Sequence, residues 1–357
     1  MRAINASIMR AINRRMILDQ IRLRPISRAE LSEITHLTRA SVTQIVEELI
    51  NEGIVVESKV VGRMRLGRRS TQLDIPPNAG VFFGVHLSGA RISVGCVNMR
   101  GEVLKHNMVV PAARSSTETM DAIAATIDQQ RRSISLPLEK LQGIGVSIIG
   151  GESSAEMKHE IQEELAKRCG LPVVLEYDVN ARALDEKYFG CAKDNFALIH
   201  LGEKISASVI ANGSLYRGAE QGEVQIDRMA TDANLAQGTL NDWLGEAALL
   251  QGTGCQSWEE LMERATEEGA STAVERLKQY LAFGIVNIVH AFHVPHVVLC
   301  GEVFSSGDFL EQELYDKALQ NGIDKNQLSI QIQRESNPVR IGASPAYHRF
   351  FQGGLED

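Results

Sequence analysis

The apolar residues near the start of the chain recur at helical spacing. Ile8, Ile12, Met16, Ile17 and Ile21 fall on one face of a helix, which Pro25 ends. Ser27-Arg28-Ala29-Glu30 follows as a capping box, in which the serine hydroxyl takes the amide three residues on and the glutamate reaches back. Leu31 and Ile34 then supply the inner face of a short second helix. His36-Leu37 is a turn, and Thr38 is the N-cap of a third helix running to about Asn51. Its inward positions are Val42, Ile45, Val46, Leu49 and Ile50, and Gly53 suits a left-handed stop. Ile54-Val55-Val56 reads as a strand, Lys59 to Arg69 as a basic turn, and Thr71 to Ile75 as a returning strand. Pro76-Pro77 marks a boundary.

Beyond it the pattern alternates between strands and helices. Val81–Leu87 and Arg91–Val97 form a hairpin, and a turn at residues 99–102 leads into Val103–Val110. Ser116–Ser133 is a helix, Gly143–Ile149 a buried strand, Glu156–Cys169 a helix and Val173–Glu176 a strand. Val179–Phe189 is a helix, Phe196–Leu201 and Ser206–Ile210 are strands, and Trp258–His290 is mostly helical. Val297–Cys300 is one more buried strand before a helix at about Phe309–Gln320. Strands and helices in this order predict an α/β body of two linked lobes. The expected domains are a helix-turn-helix head with a hairpin wing at 1–75 and the body at 80–357.

Charge sharpens the division. Residues 1–72 carry 13 Lys+Arg against 7 Asp+Glu, a balance of +6, whereas the whole chain of 357 residues sums to −8. A basic head on an acidic body predicts that the head alone meets a polyanion; chance clustering on a solvated face is the plainer reading. Cys96, Cys169, Cys191, Cys255 and Cys300 are odd in number, scattered and never spaced C-x-x-C. They predict free thiols in a reducing cytoplasm and neither a disulfide framework nor a cysteine zinc site. No run of eighteen apolar residues suggests a membrane span, and the arginines at the start precede no signal-peptide core.

In a helix-turn-helix, the second of the paired helices enters the major groove by its N-terminal end. Its outward positions here are Arg39, Ala40, Thr43 and Gln44. Arginine forks onto guanine, glutamine pairs with adenine, and alanine or threonine meets a thymine methyl. Thr38 and Ser41 suit phosphates at the positive end of the helix dipole, with Ser27 and Arg28 at the start of the preceding helix. Arg63, Arg65, Gly67, Arg68 and Arg69 form a wing tip suited to a narrow minor groove. The expected partner of the head is a double-stranded DNA operator.

With these features in place, the chain resembles the ROK family (repressors, open reading frames and kinases), in particular its sugar-responsive repressors of the N-acetylglucosamine and xylose type. The head carries the likeness in Ile12-Asn13-Arg14-Arg15, Ile26 to Leu31, Leu37 to Val42, Gly53-Ile54-Val55 and Gly67-Arg68-Arg69. The body carries it in Gly143 to Ser147, Gly170 to Val173, Asp178-Val179-Asn180-Ala181, Leu215 to Ala219 and Ile341-Gly342-Ala343. The resemblance implies a two-lobed actin-like ATPase (ribonuclease H-like) fold for the body and a homo-oligomer, a dimer or tetramer.

The departures from the family pattern are chemical. Where family kinases hold phosphates with D-x-G-G-T, this chain reads His86-Leu87-Ser88-Gly89-Ala90. In place of G-T-G-x-G it reads Gly202-Glu203-Lys204-Ile205-Ser206. Without an acidic residue for magnesium, and with Glu203 set to repel an anion, ATP binding is not expected. Asp178 matches the family's catalytic base. It either addresses a sugar hydroxyl, with Asn180 beside it, or caps the helix beginning at Val179. The family's E-x-G-H sugar motif falls on Gln225-Ile226-Asp227-Arg228. Gln225 retains a hydrogen-bonding group. Arg228 offers a fork for a phosphate or carboxylate, or else pairs with Asp227 or Asp232 on the surface. The cysteine cluster of zinc-bearing members is absent, since no cysteine lies between Cys191 and Cys255. Together these readings predict a regulator without cofactor or catalytic residue. Its body would respond to a sugar or sugar phosphate, or serve as a protein-interaction and dimerisation platform; a sugar kinase is the least favoured reading.

Overall fold

The computed structural model describes residues 6–59, 71–88, 91–109, 117–134, 137–149, 155–190, 193–218, 222–232, 238–304, 310–324, 328–333 and 337–352. The chain forms two compact units. One comprises Met1–Ile148, Ser153–Glu176 and Pro338–Asp357; the other comprises Ile149–Glu152 and Tyr177–Asn337.

The first unit opens with α1 (Ala6–Leu23), α2 (Arg28–Thr35) and α3 (Arg39–Asn51), followed by the antiparallel pair β1 (Val56–Lys59) and β2 (Thr71–Asp74). The capping box is complete. The Ser27 hydroxyl accepts from the Glu30 amide, and the Glu30 carboxylate takes the Ser27 amide at 3.0 Å. His36 turns the chain in the left-handed region at φ 57°. The Thr38 hydroxyl caps α3 by accepting from the Ser41 amide at 3.2 Å. Ile17, Ile21, Leu31, Val42, Val46 and Leu49 are buried together, and a bridge from Ile26 to Leu73 ties the entry of α2 to the wing.

Two details differ from expectation. Ile34 is 46% exposed, and Thr35 takes the inner place one turn after Leu31 because the apolar stripe of so short a helix is a single i,i+4 pair. Ile54 and Val55 are buried but lie outside the strand, which begins at Val56. Their amides reach the Leu49 carbonyl at 3.0 and 3.2 Å, closing the end of α3.

Next come β3 (Val81–Ser88), β4 (Arg91–Asn98), β5 (Val103–Val109), α4 (Thr117–Ser133), β6 (Leu141–Ile148), α5 (Ala155–Cys169) and β7 (Val173–Tyr177). The strands lie in the order β5-β4-β3-β6-β7, with the first three antiparallel and β6 parallel to β3. Ile123, Ile127, Ile161 and Leu165 of α4 and α5 pack on Val85, Val94 and Val146 of the sheet.

The second unit holds α6 (Asp178–Phe189), β8 (Phe196–Leu201), β9 (Ile205–Ala211), β10 (Ser214–Leu215), α7 (Leu240–Leu244), α8 (Glu246–Leu250), α9 (Trp258–Glu263), α10 (Glu268–Phe292), β11 (His296–Cys300), α11 (Leu310–Gln320) and β12 (Ser329–Gln333). Its sheet runs β10-β9-β8-β11-β12 and repeats the strand order of the first, with β11 parallel to β8 and β12. Leu277, Leu281, Ile285 and Ile288 of α10 share a core with Ile199 and Leu299. Lys278 is buried and bridges Glu275 of α10, at 2.7 Å, to Glu313 of α11.

The last helix, α12 (Pro338–Gln352), returns to the first unit and lies on β3, β4 and β6. Neither β12 nor α12 is foreseen by the sequence pattern. A Cβ on Gly84 would stand 2.0 Å from the Val339 carbonyl oxygen, and one on Gly145 would stand 2.2 Å from that of Gly342. Helix and sheet therefore touch backbone to backbone. The same unit fastens the head. The Lys140 ammonium donates to the Gly53 carbonyl at 2.9 Å, and Arg100, next to Met99 whose carbonyl accepts from the Tyr347 hydroxyl of α12 at 2.7 Å, pairs with Asp74 at 2.9 Å. The Arg22 guanidinium carbon lies 5.9 Å from the centre of the Phe351 ring. Gly145→Ala is expected to destabilise the chain by about 3 kcal/mol or more, because the obstructing atom is main chain and cannot rotate away. Urea unfolding of the variant checks this, and an unchanged midpoint would contradict the close approach.

Candidate functional site

The first candidate surface is the start of α3. Thr38, Arg39, Ala40 and Gln44 are exposed, and Ser41 and Thr43 are half-buried. The Thr38 and Ser41 hydroxyls lie 2.9 Å apart, and the Thr43 hydroxyl donates to the Arg39 carbonyl at 2.8 Å. Gln44 reaches Glu48 at 3.4 Å. The second half of α3 is acidic, which would oppose a polyanion. Arg10 pairs with Glu48, and Arg14 grips Glu52, with one of its two bonds at 2.9 Å. Both arginines come from α1 and neutralise those carboxylates; sequence inspection misses them because the partners lie 38 residues apart. Ser27 is buried, its hydroxyl committed to Glu30 at 2.7 Å, and Arg28 pairs with Glu57 of the wing. Arg63, Arg65, Gly67, Arg68 and Arg69 lie outside the described residues.

In the body, His86 and Ser147 stand side by side on adjacent strands, with Nδ1 and Oγ 2.7 Å apart and both residues buried. In the second unit, Glu203 occupies the turn between β8 and β9, and its carbonyl receives the Glu246 amide at 3.3 Å. Burial and then the carboxylates of Glu302 and Glu203 hold the Glu246 carboxyl above its ordinary pKa. Like charges therefore crowd this turn.

Asp178 is the first residue of α6 and does not cap it; Tyr177 occupies the N-cap position. One turn on, Arg182 Nε donates to Asp178 Oδ2 at 2.7 Å, and the two side chains are only 12% and 10% exposed. Asn180 is fully buried on the same turn. Arg182 is the partner that sequence inspection overlooks, although the i,i+4 spacing after Asp178 is a legible signal. Gln225 and Arg228 are both exposed, at either end of the 3₁₀ turn Ile226–Arg228, and the Arg228 amide donates to the Gln225 carbonyl at 3.3 Å.

The family model of ROK matches residues 82–344, most of the body. The chain belongs to the ROK family. It is 26% identical over 353 residues to a putative xylose repressor of Caldicellulosiruptor sp. (strain Rt8B.4), covering 87% of this chain and 88% of that one. Its fold matches the crystal structure of a ROK family transcriptional regulator, a homolog of the E. coli MLC protein. The TM-score is 0.80 at 20% identity, covering 97% of each chain. A ROK hexokinase from Thermus thermophilus matches with a TM-score of 0.62 at 19% identity, over 75% of this chain and 97% of that one.

The two places at which the sequence departs from the kinase pattern are held by Ser147, beside His86, and by a turn in which the Glu203 and Glu302 carboxylates both act on Glu246. Among the described residues no group of three or more His, Cys, Asp or Glu is arranged to hold a metal. Cys96, Cys169, Cys255 and Cys300 are free and buried. Burial pushes the Cys96 and Cys169 thiols up to about 11 and that of Cys300 up to about 12, so these remain protonated. No helix among the described residues is long and apolar enough to cross a membrane.

Asp178→Asn is expected to cost about 3 kcal/mol, since it takes from the buried Arg182 guanidinium the carboxylate it hydrogen-bonds and leaves only the more weakly acting Asp185. Chemical denaturation of the variant measures the cost. A loss below about 0.5 kcal/mol, the size of a surface pair, would show that the pair is not sequestered.

Proposed function

We propose that the chain is a sequence-specific DNA-binding transcriptional regulator, a repressor of carbohydrate-related genes, acting in the cytoplasm as a homo-oligomer. Its head at 1–75 reads DNA, and its body at 80–357 senses a ligand without catalysing a reaction. The observation that carries this reading is the start of α3, a capped helix end with Thr38, Arg39, Ala40 and Gln44 exposed in a winged helix-turn-helix head. The crowded carboxylates at Glu203, Glu246 and Glu302 weigh against a kinase, because they would repel nucleotide phosphates. The relatives named for repression lend support, and the xylose repressor name suggests a sugar as the ligand class.

In this reading Arg39 and Gln44 contact bases. Thr38, Ser41, Arg28 and the wing residues Arg63, Arg65, Gly67, Arg68 and Arg69 follow the phosphates or the minor groove. In the body, Asp178 and Asn180 orient the first turn of α6 toward sugar hydroxyls, and Gln225 and Arg228 offer an amide and a cationic fork. An effector alters DNA binding only through different affinities for the DNA-competent and DNA-incompetent states.

Selection from a random duplex pool is expected to enrich a two-fold site with half-sites one or more helical turns apart. Affinity for that site should fall steeply with salt. Arg39→Ala should lower specific affinity by about 1–3 kcal/mol and relax one base position, leaving nonspecific binding nearly unchanged. Failure to enrich any sequence would refute the DNA-reading role. For the body, a sugar phosphate at 100 times its Kd should raise stability by about 2.7 kcal/mol in thermal shift, and Arg228→Ala should erase the effect. No shift from any member of a broad panel of sugars and sugar phosphates would instead make the body a protein-interaction platform.

A further inference from the structure

Along α3, Ala40, Gln44 and Glu48 follow one another at i,i+4 and so share one face of the helix. The far end of this row is tied to α1. Arg10 donates to Glu48 Oε1, and one turn on Arg14 grips Glu52, with Nη1 2.9 Å from Oε1. The Glu48 oxygen that Arg10 holds also receives Gln44 Nε2, at 3.4 Å. Gln44 therefore stands between the exposed start of α3 and a carboxylate fixed from outside the helix.

The chemistry of the row decides which way Gln44 turns. An ionised carboxylate accepts hydrogen bonds and donates none, so only the NH2 end of the Gln44 amide can face it. Foremost the hydrogen bond from Arg10, with a smaller contribution from Gln44, holds the Glu48 carboxyl below its ordinary pKa and keeps it ionised at neutral pH. Gln44 is exposed, and its carbonyl oxygen is the end left for a base edge. In the major groove, adenine N6 and cytosine N4 are donors, whereas guanine O6 and N7 and thymine O4 are acceptors. An outward carbonyl suits the first two and repels the others. An amide free to turn would serve either kind.

We propose that Glu48, itself held by Arg10, is a positioning residue for specificity. It keeps the Gln44 amide turned carbonyl outward, so that α3 selects a base edge bearing an amine, adenine N6 or cytosine N4, at the place Gln44 meets. The inference rests on the proposed DNA-reading role of α3 and adds to it a residue that touches no base. Glu48 lies about 15 Å along the axis from the Thr38 cap, at about 1.5 Å per residue, well past the end that enters the groove.

Binding of the full chain to its selected operator tests this. Gln44→Ala locates the base pair, as the position whose preference flattens. At that pair the amine-bearing base is exchanged for an analogue without the exocyclic amine, purine for adenine or the corresponding pyrimidinone for cytosine. The wild type should lose about tenfold in affinity, and Gln44→Ala should lose nothing. All four natural base pairs are then titrated with Glu48→Ala and Glu48→Gln. Glu48→Ala should narrow the wild-type preference to about threefold by binding the disfavoured pairs more tightly, because the released NH2 can turn to their acceptors. A damaged fold weakens every site and cannot produce that gain. Glu48→Gln should keep the preference, since Arg10 still draws a carbonyl oxygen into the same place and the Gln44 NH2 still finds an acceptor. The positioning role is overturned, with DNA reading left intact, if Gln44→Ala flattens no position, if the wild type is indifferent to loss of the amine, or if Glu48→Ala discriminates as the wild type does. A Glu48→Gln variant as indiscriminate as Glu48→Ala overturns it as well. Preference lost at a different base pair would make Glu48 a direct reader and overturns it too. If no operator is selected at all, the DNA-reading role falls and takes the inference with it.

Discussion

Where α12 crosses the first sheet, two stretches of main chain meet with no side chain between them. Gly84 and Gly145 leave room for the carbonyls of Val339 and Gly342, and a single added methyl at either would fall within 2.0–2.2 Å of an oxygen. Such an approach cannot slide or tilt without losing its fit, so helix and sheet behave as one body. The rest of the first unit is assembled around that weld. Tyr347 and Phe351 on the far part of α12 reach Met99 and Arg22, and Lys140 at the foot of β6 holds the end of α3. The helix-turn-helix head is thus fastened to the sheet of its own unit by these contacts.

Electrostatics divides labour within that platform. The start of α3 keeps its exposed polar residues, while Arg10 and Arg14 cancel carboxylates farther along the same helix. These are surface pairs and add little to stability. What they change is the field that an approaching polyanion meets. The body treats charge in the opposite way. It gathers carboxylates around the β8–β9 turn and locks Asp178 to Arg182.

Much of this was legible in the sequence, and the reason is locality. The caps at Ser27 and Thr38, the left-handed Gly53 and the buried faces of α1 and α3 follow from residues within one or two turns of each other. The hairpin of β3 and β4 and the buried strands β6, β8 and β11 announce themselves by apolar runs. What escaped notice depends on distant partners. The helix α12 is buried nearly all round, which erases the amphipathic period, and it contains Pro345, which mimics a break. The repeated strand order of the two sheets leaves no repeat in the sequence, since a fold can be duplicated in topology after its residues have diverged. The sequence offers Asp178 as a ligand residue or a cap; its pairing with Arg182, though local at i,i+4, follows from the burial of both on α6.

The path of the chain has a consequence for its birth. The first sheet is finished by a helix that leaves the ribosome after every strand of both sheets. Until α12 arrives, the faces of Gly84 and Gly145 stand uncovered and the head has no seat for Arg22. The closing contacts span more than two hundred residues, as between Met99 and Tyr347. That separation makes the last step of maturation slow relative to local folding. A nascent chain interrupted before α12 would carry a formed α3 on an unfinished platform. The packing of the first sheet is therefore completed by a helix made after both sheets.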